Sequence, residues 1–476
     1  MTNNLLRFIE IDQSYPNKRE PNSRKNDFGE IYDDYSESAA LNQASRCSQC
    51  GVPFCQIHCP LQNNIPDWLM MTAQGRLKEA YEISASTNNM PEICGRICPQ
   101  DRLCEGNCVI ENGFKSVTIG SVERYLTDNA FDNGWIKPVK ILEERSQKVC
   151  IIGAGPGGLS AAEELRKLGY QVDVYDRYDR IGGLLIYGIP NFKLEKSIVE
   201  RRASLLKESG INFYLNTEVG KDISFEQLRQ DYDSILISTG VYEARDIALP
   251  GVGLSNIVPA MSYLTASNRV GLGDEVINFS NGKLNAYGKD VVVLGGGDTA
   301  MDCVRTATRQ GARSVKCVYR RDRVNMPGSL REVNHAEEEG VEFIWLTTPE
   351  AYIGQKKIEA IRAANVRLGS SDSSGRQSPE LVANSSHELK CDLAIKAFGF
   401  DPEDLKNSFD QPNLKLTGWG TLSIDFLSKM TSLNGVFAAG DIVRGASLVV
   451  WAIRDGRDAA LQMHKYMQGL LLNREN

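Results

Sequence analysis

Over the first 145 positions of this 476-residue chain the apolar residues are sparse and helically spaced, as in PDWLMMTAQGRLKEAYEIS (66–84), and strand-like runs are scarce. This predicts a small, mainly helical unit. Its first forty residues, rich in Asn, Asp, Ser and Tyr, predict an arm laid over another surface or left without fixed structure. The pattern changes at KVCIIGAGPGGLSAAEELRKLGYQVDVYDR (148–177), an apolar strand, a glycine turn, a helix and a second strand ending at Asp176. The same order returns at DVVVLGGGDTAMDCVRTATRQGARSVKCVYRRD (290–322). A third stretch, GVFAAGDIVRGASLVVWAIRDGRDAALQMH (435–464), predicts a strand ending at Gly440-Asp441, a loop, and a helix from near Ser447. SILISTG (234–240) and LAIKAFGF (393–400) each follow one glycine turn as closing strands that cross between two units. The second unit is therefore inserted in the first, with boundaries near Pro250 and Asp401. The Ser/Gly-rich LGSSDSSGRQSPE (368–380) predicts an exposed hairpin or loop.

A strand, GxGxxG, helix, strand and an acid about 20 residues on together form a dinucleotide fingerprint. The glycines let backbone approach a pyrophosphate at a helix N-terminus, where unpaired N–H groups favour an anion. The first site comprises Gly153, Gly155, Pro156, Gly158, Asp176 and Gly183, and the third stretch adds Gly440, Asp441 and Ser447. The second comprises Gly295, Gly297, Asp298, Thr299 and Ala300, and it ends in VKCVYR, so that Arg320 stands in sequence where Asp176 stood. A carboxylate there accepts from a free ribose 2′-OH, whereas a guanidinium grips a 2′-phosphate. The first site is thus expected to hold FAD or NAD, and the second NADPH, with Arg320 and Arg321 on the 2′-phosphate; the third stretch, where a helix N-terminus can meet a flavin, favours FAD in the first.

A net charge of −7 argues against a nucleic-acid partner, which would call for clustered Lys and Arg. The opening MTNNLLRFIEIDQSYPNKRE has no apolar signal core, and no stretch approaches the roughly 20 apolar residues that span a bilayer. A cytoplasmic, non-membrane protein is expected. In that reducing setting the twelve cysteines are unsuited to a disulfide framework. Eight precede position 110, in RCSQCGVPFCQIHCP (Cys47, Cys50, Cys55, Cys59) and CGRICPQDRLCEGNC (Cys94, Cys98, Cys104, Cys108). The scattered Cys150, Cys303, Cys317 and Cys391 read as small buried hydrophobes. Zinc fits poorly, because only Cys47 and Cys50 make a CxxC pair. The opening run instead follows the ferredoxin pattern of close thiols ending in Cys-Pro, and two groups of four suggest two [4Fe–4S] clusters. Cys59-Pro60 and Cys98-Pro99 both carry the mark at which a chain passes to the other cluster, so the ligands need not divide by group.

Nicotinamide gives up two electrons together and an iron–sulfur cluster takes one, so a flavin between them completes a chain from NADPH to FAD to the clusters. None of the four histidines, at 58, 335, 387 and 464, falls in a catalytic motif. Holding nicotinamide against flavin is a positioning task. No CxxC lies near the second dinucleotide site, so a dithiol route is not expected.

These stretches, with YRRDRVNMPGS, resemble the small (beta) subunits of bacterial NADPH-dependent glutamate synthases over nearly the full length. They also resemble the FAD-containing half of dihydropyrimidine dehydrogenase and the NADPH-binding subunits of electron-bifurcating ferredoxin:NADP oxidoreductases. The resemblance implies an α/β flavoprotein with two dinucleotide-binding domains, the NADPH domain inserted in the FAD domain, preceded by a mainly α-helical iron–sulfur domain. Its units are 1–145, 146–250, 251–401 and 402–476. The resemblance further implies that Cys47, Cys50, Cys55 and Cys108 hold one cluster, and that Cys59, Cys98, Cys104 and Glu123 hold the other, with Cys94 the rival for the last place. The implied partner is a large subunit that makes glutamate from glutamine and 2-oxoglutarate, in a hetero-oligomer. Such a subunit exposes an N-terminal cysteine, whereas Thr2 follows Met1 here. The alternative output is reduction of ferredoxin by a transhydrogenase subunit. A zinc-braced flavoprotein scaffold is the non-catalytic reading.

Overall fold

The structure, a computed structural model, describes residues 5–371 and 377–474. Thr2 and the middle of the predicted 368–380 loop lie outside them. The N-terminal unit is built on helices α1 (Glu37–Ala44), α2 (Ile65–Ala73), α3 (Leu77–Thr87), α4 (Pro91–Ile97) and α5 (Ile119–Asp132). Ser36 caps α1 by accepting from the Ala39 N–H, which satisfies one of the unpaired amides of the first turn. Pro66 and Pro91 stand in the first turns of α2 and α4, where a missing N–H costs nothing. The core closes around Trp68, wholly buried, whose Nε1 donates to Asn63 Oδ1 at 2.9 Å.

A five-stranded parallel sheet follows, in the order β16-β4-β1-β2-β3. Its strands are β1 (Lys148–Ile152), β2 (Gln171–Tyr175), β3 (Asn212–Tyr214), β4 (Ser234–Ile237) and, far along the chain, β16 (Val436–Ala438). β1 and β4 are buried on both faces, which explains their continuous apolar runs. Helices α6 (Pro156–Lys167) and α7 (Lys196–Glu208) flank this sheet. Between β4 and β16 the chain builds a second parallel sheet, in the order β6-β14-β7-β8-β9. It comprises β6 (Ile257–Pro259), β7 (Asp290–Leu294), β8 (Ser314–Val318), β9 (Glu342–Ile344) and β14 (Leu393–Lys396). Helices α8 (Ala260–Gly271), α9 (Asp298–Arg309) and α10 (Leu330–Glu338) pack on it. The two chain crossings pair with each other, β5 (Glu243–Ala244) antiparallel to β15 (Phe400–Asp401). An antiparallel sheet of β10 (Thr347–Gly354), β11 (Ile358–Ser371), β12 (Gln377–Leu381) and β13 (His387–Lys390) completes the inserted unit. The arms of the predicted 368–380 hairpin are thus the β11–β12 pair.

The helical unit does not stand apart. Leu61, Met90, Ile93 and Cys94 share one apolar core with β1, α6 and the long C-terminal helix α11 (Val449–Arg474). α6 and α11 cross at glycines: a Cβ on Gly456 would lie 2.1 Å from the Gly157 carbonyl oxygen. Backbone cannot yield as a side chain can, so Gly456→Ala is expected to cost about 1–3 kcal/mol of overpacking. Because Gly157 belongs to the first glycine turn, flavin retention should fall together with the melting temperature, as read by thermal unfolding and bound-flavin absorbance.

Candidate redox site

The first glycine turn assigns each glycine a separate task. Gly153 has φ 112°, and a Cβ there would lie 2.3 Å from Ser238 O on the neighbouring chain segment. A Cβ on Gly158 would lie 2.0 Å from Gly153 O, so the helix could not close on the turn. A Cβ on Gly155 would meet nothing within 4 Å, which leaves room for a ligand to approach the backbone. Asp176 follows β2 directly and braces the turn: one carboxylate oxygen accepts from Ala154 N at 2.7 Å, the other from Tyr178 N at 2.8 Å. Burial raises its pKa, and those two N–H groups oppose the rise.

Two cavities meet at Gly153, Asp176, Thr239 and Tyr242 to make one crevice. The larger, about 220 Å³, is lined by Arg177, which pairs with Glu403 at 2.7 Å and lies over the Tyr242 ring at 4.8 Å. The other, about 90 Å³, is lined by Gly155, Pro156, Gly183, Gly440, Asp441 and Ser447. In it Ser447 Oγ donates to Asp441 at 2.6 Å. Thr239 Oγ1 is buried without a hydrogen-bond partner. An elongated crevice with an open glycine and an unsatisfied hydroxyl fits a dinucleotide. One detail departs from the sequence expectation. β16 ends at Ala438, Asp441 opens a one-turn helix (Asp441–Arg444), and α11 starts at Val449, two residues after Ser447. The positive φ of Gly440, 78°, ends the strand early.

The second turn repeats the logic. Gly295 has φ 144°, its Cβ would lie 2.3 Å from Ala397 O, and a Cβ on Gly297 would meet nothing within 4 Å. Ala300 fills the third position, fully buried, and Asp298 and Thr299 open α9. Asp298 Oδ1 accepts from Ser329 N at 2.9 Å. The strand register corrects the expected exchange of Asp176 for Arg320. Ile152 pairs with Tyr175 in the first sheet and Leu294 with Val318 in the second, so Tyr319 is the counterpart of Asp176, and Arg320 that of Arg177. The aligned Tyr-Asp and Tyr-Arg pairs hid a one-residue offset. The Tyr319 ring packs where a Cβ on Gly296 would be 2.4 Å away. Arg320 is exposed beyond the strand end, whereas Arg321 is buried and donates Nε to Gln377 O at 3.0 Å.

A further cavity of about 200 Å³ lies where all three units meet. The flavin-side unit contributes Leu184, Leu448 and Val449, the inserted unit Asp298, Asp302 and Arg331, and the helical unit Cys94, Ile97 and Cys98. Lys193 also lines it and pairs with Asp302 at 2.9 Å. Burial pushes the Asp302 carboxyl up to about 6, with Lys193 opposing. Lys193, Asp302 and Arg331 carry no sequence motif. Only Asp302 had a local signal, one helical turn after Asp298 on the same face.

Thiols from the two sequence groups lie near one another. Burial first, and then charge on Cys47, Cys108 and Cys50, raises the Cys55 thiol to about 12. Cys59, Cys98, Cys104, Cys94 and Glu123 line a second hollow of about 30 Å³ with Leu61, Trp68 and Val450. Asn88 stands between the two rival groups, donating to Glu123 Oε1 at 3.3 Å and accepting from Cys94 Sγ at 3.8 Å. Among the described residues no three His, Cys, Asp or Glu side chains converge as ligands of a single metal ion. A hollow ringed by soft thiols fits a cluster, whose iron atoms stand apart from one another. His58 is exposed and turns its Nδ1 to Phe54 O.

Residues 24–135 match the family model described as dihydropyrimidine dehydrogenase domain II, 4Fe-4S cluster, and residues 147–456 match pyridine nucleotide-disulphide oxidoreductase. The glutamate synthase [NADPH] small chain of Azospirillum brasilense is 62% identical over 97% of this chain and 96% of its own length. The same-named chain of Escherichia coli is 44% identical over 97% and 98%. The chain belongs to the glutamate synthase [NADPH] small-chain family. It is an NADPH oxidoreductase with an N-terminal iron–sulfur domain. Mycobacterium tuberculosis FprA in complex with NADPH shares the fold, at TM-score 0.58 and 20% identity, over 70% of this chain and 87% of that one. No helix among the described residues is long and apolar enough to cross a membrane.

Proposed function

We propose that this small chain is the electron-input half of a cytoplasmic glutamate synthase, taking hydride from NADPH and delivering single electrons to a large subunit. Residues 1–145 carry two [4Fe–4S] clusters, 146–250 with 402–476 carry FAD, and 251–401 carry NADPH. When bound, the flavin splits a two-electron donor into single electrons and the clusters carry them. Gly153, Gly155, Pro156, Asp176, Gly183, Gly440, Asp441 and Ser447 line the flavin crevice, and Gly158 lets the helix close on the glycine turn behind it. Gly295, Gly297, Asp298, Thr299 and Ala300 cradle the nucleotide pyrophosphate, with Arg320 on the 2′-phosphate and Arg321 supporting the strand end from beneath. Cys47, Cys50, Cys55 and Cys108 form the outer cluster site. Cys59, Cys98 and Cys104 form the inner one, with Glu123 as oxygen ligand and Cys94 as its rival.

One observation carries the reading. The inner hollow and the three-unit cavity share Cys94, Cys98, Gln100 and Val450 as a common wall. That wall supports an order in which the inner site lies next to the flavin and the outer site beyond it. Around the outer site Val52, Phe54, Ile57 and Val109 are each about half exposed, an apolar rim suited to a protein partner. The test mixes the anaerobic holoprotein with NADPH, the large subunit, glutamine and 2-oxoglutarate. Glutamate formation and about eight acid-labile sulfides per chain are expected. Reduction of ferredoxin without glutamate formation would move the chain to the transhydrogenase reading, and zinc without sulfide would remove the electron exit.

A further inference from the structure

We infer that the N-terminal arm is a positioning element for hydride transfer, with Arg24 locking the inserted unit onto the other two. Units joined by two chain crossings move relative to one another by default unless further contacts hold them. Arg180–Asp274, Lys193–Asp302 and Arg331–Glu105 are such contacts, and in each at least one side chain keeps some exposure. Here an arm from outside the inserted unit enters its interior. Arg24 is fully buried and donates Nε to Glu339 Oε1 at 2.9 Å and Nη2 to Glu338 at 2.6 Å. Glu339, whose side chain is likewise buried, accepts from Arg305 Nη2 at 2.9 Å and Arg309 Nη1 at 2.6 Å. Arg305 and Arg309 belong to α9, the helix that the second glycine turn opens, and the arm thereby grips the element that positions the nucleotide. Phe192 of the flavin-side unit lies 3.9 Å from the Arg309 guanidinium and 4.5 Å from that of Arg305.

The arm meets the inserted unit at two further points and also holds the other units. Lys18 pairs with Glu338 at 2.6 Å, and Tyr32 bonds His335 Nε2 at 2.9 Å. Glu30 pairs with Arg96 at 2.9 Å and Arg124 at 3.1 Å on the helical unit, and Asn191 of the flavin-side unit donates to Phe28 O at 2.9 Å. One polar segment thus ties all three walls of the cavity where nicotinamide and flavin are proposed to meet. A buried guanidinium is costly to desolvate unless it is fully paired, and a purely covering arm would have no reason to bury one.

The inference rests on the proposed hydride transfer in that cavity. The test is stopped-flow bleaching of the holoprotein flavin by NADPH, with NADPH affinity and hydrogen exchange of the 330–345 segment measured in parallel. Arg24→Met leaves Glu339 its two α9 guanidiniums, and Glu338→Gln loosens the partly exposed end of the strap if the buried variant fails to fold. The expected result is a hydride-transfer rate lowered at least about tenfold, since small misplacements of reacting groups cost up to about 100-fold. NADPH affinity should stay within about twofold, because Arg24 is not among the nucleotide-lining residues, and exchange in 330–345 should rise. A merely structural role would lower flavin content and melting temperature together and leave the rate per bound flavin unchanged. That outcome, or wild-type rate and exchange in both variants, overturns the inference. Failure of the wild-type flavin to bleach would instead overturn the proposed hydride site.

Discussion

Replacing Arg320 with alanine is expected to lower kcat/KM for NADPH about 100-fold and to leave NADH oxidation within about twofold of wild type. Hydrogen bonds to a charged group contribute about 1.5–3 kcal/mol each, so losing a forked guanidinium from a phosphate gives a change of that order. The loss should fall on KM, because the 2′-phosphate is remote from the reacting atoms and is held equally in ground and transition states. The strand register sets Arg320 one residue beyond the position of Asp176 but leaves that position without a carboxylate. The place that Asp176 occupies in the flavin-side unit is taken by Tyr319 in the inserted one, so no carboxylate stands there to repel the phosphate or to favour a free ribose. Initial-rate kinetics with both nucleotides decide it, and an unchanged NADPH-to-NADH ratio would remove Arg320 from the specificity site.

The sequence could reveal what is local. The two glycine turns are legible because strand, glycines, helix and second strand follow one another within some thirty residues of chain, although the backbone that forbids a side chain at Gly153 and Gly295, at Ser238 and Ala397, comes from much further along. The insertion was legible because the closing strands β4 and β14 keep the fully buried apolar pattern of parallel sheets. What failed was counting by similarity at a strand end. Tyr175 and Tyr319 look alike, yet the first is the last paired residue of its strand and the second lies one beyond. What could not be read at all was long-range. Lys193 meets Asp302 across 109 positions, and Arg24 meets Glu339 across 315. The polar composition of the arm fits either a segment laid over another surface or one without fixed structure, and the buried pairs of Arg24 and Glu30 correspond to the first.

The second large effect should come from the inner cluster site. Cys98→Ser is expected to leave flavin bleaching by NADPH within a few-fold of wild type and to lower glutamate formation by at least about 100-fold. Changes to groups that only orient metal ligands cost about 10–100-fold, and here a soft thiolate ligand is itself exchanged for a hard hydroxyl. Acid-labile sulfide should fall by about half if the two sites load independently. The split between the two readouts is the informative part. Cys98 lines both the three-unit cavity and the inner hollow, so on the proposed path its loss would interrupt electrons after they have entered and before they can leave. Cys47→Ser, at the outer site, should give the same uncoupling with the inner cluster's low-temperature spectrum retained. If Cys98→Ser supports glutamate formation at the wild-type rate while Cys47→Ser does not, electrons bypass the inner hollow and the shared wall is not the route.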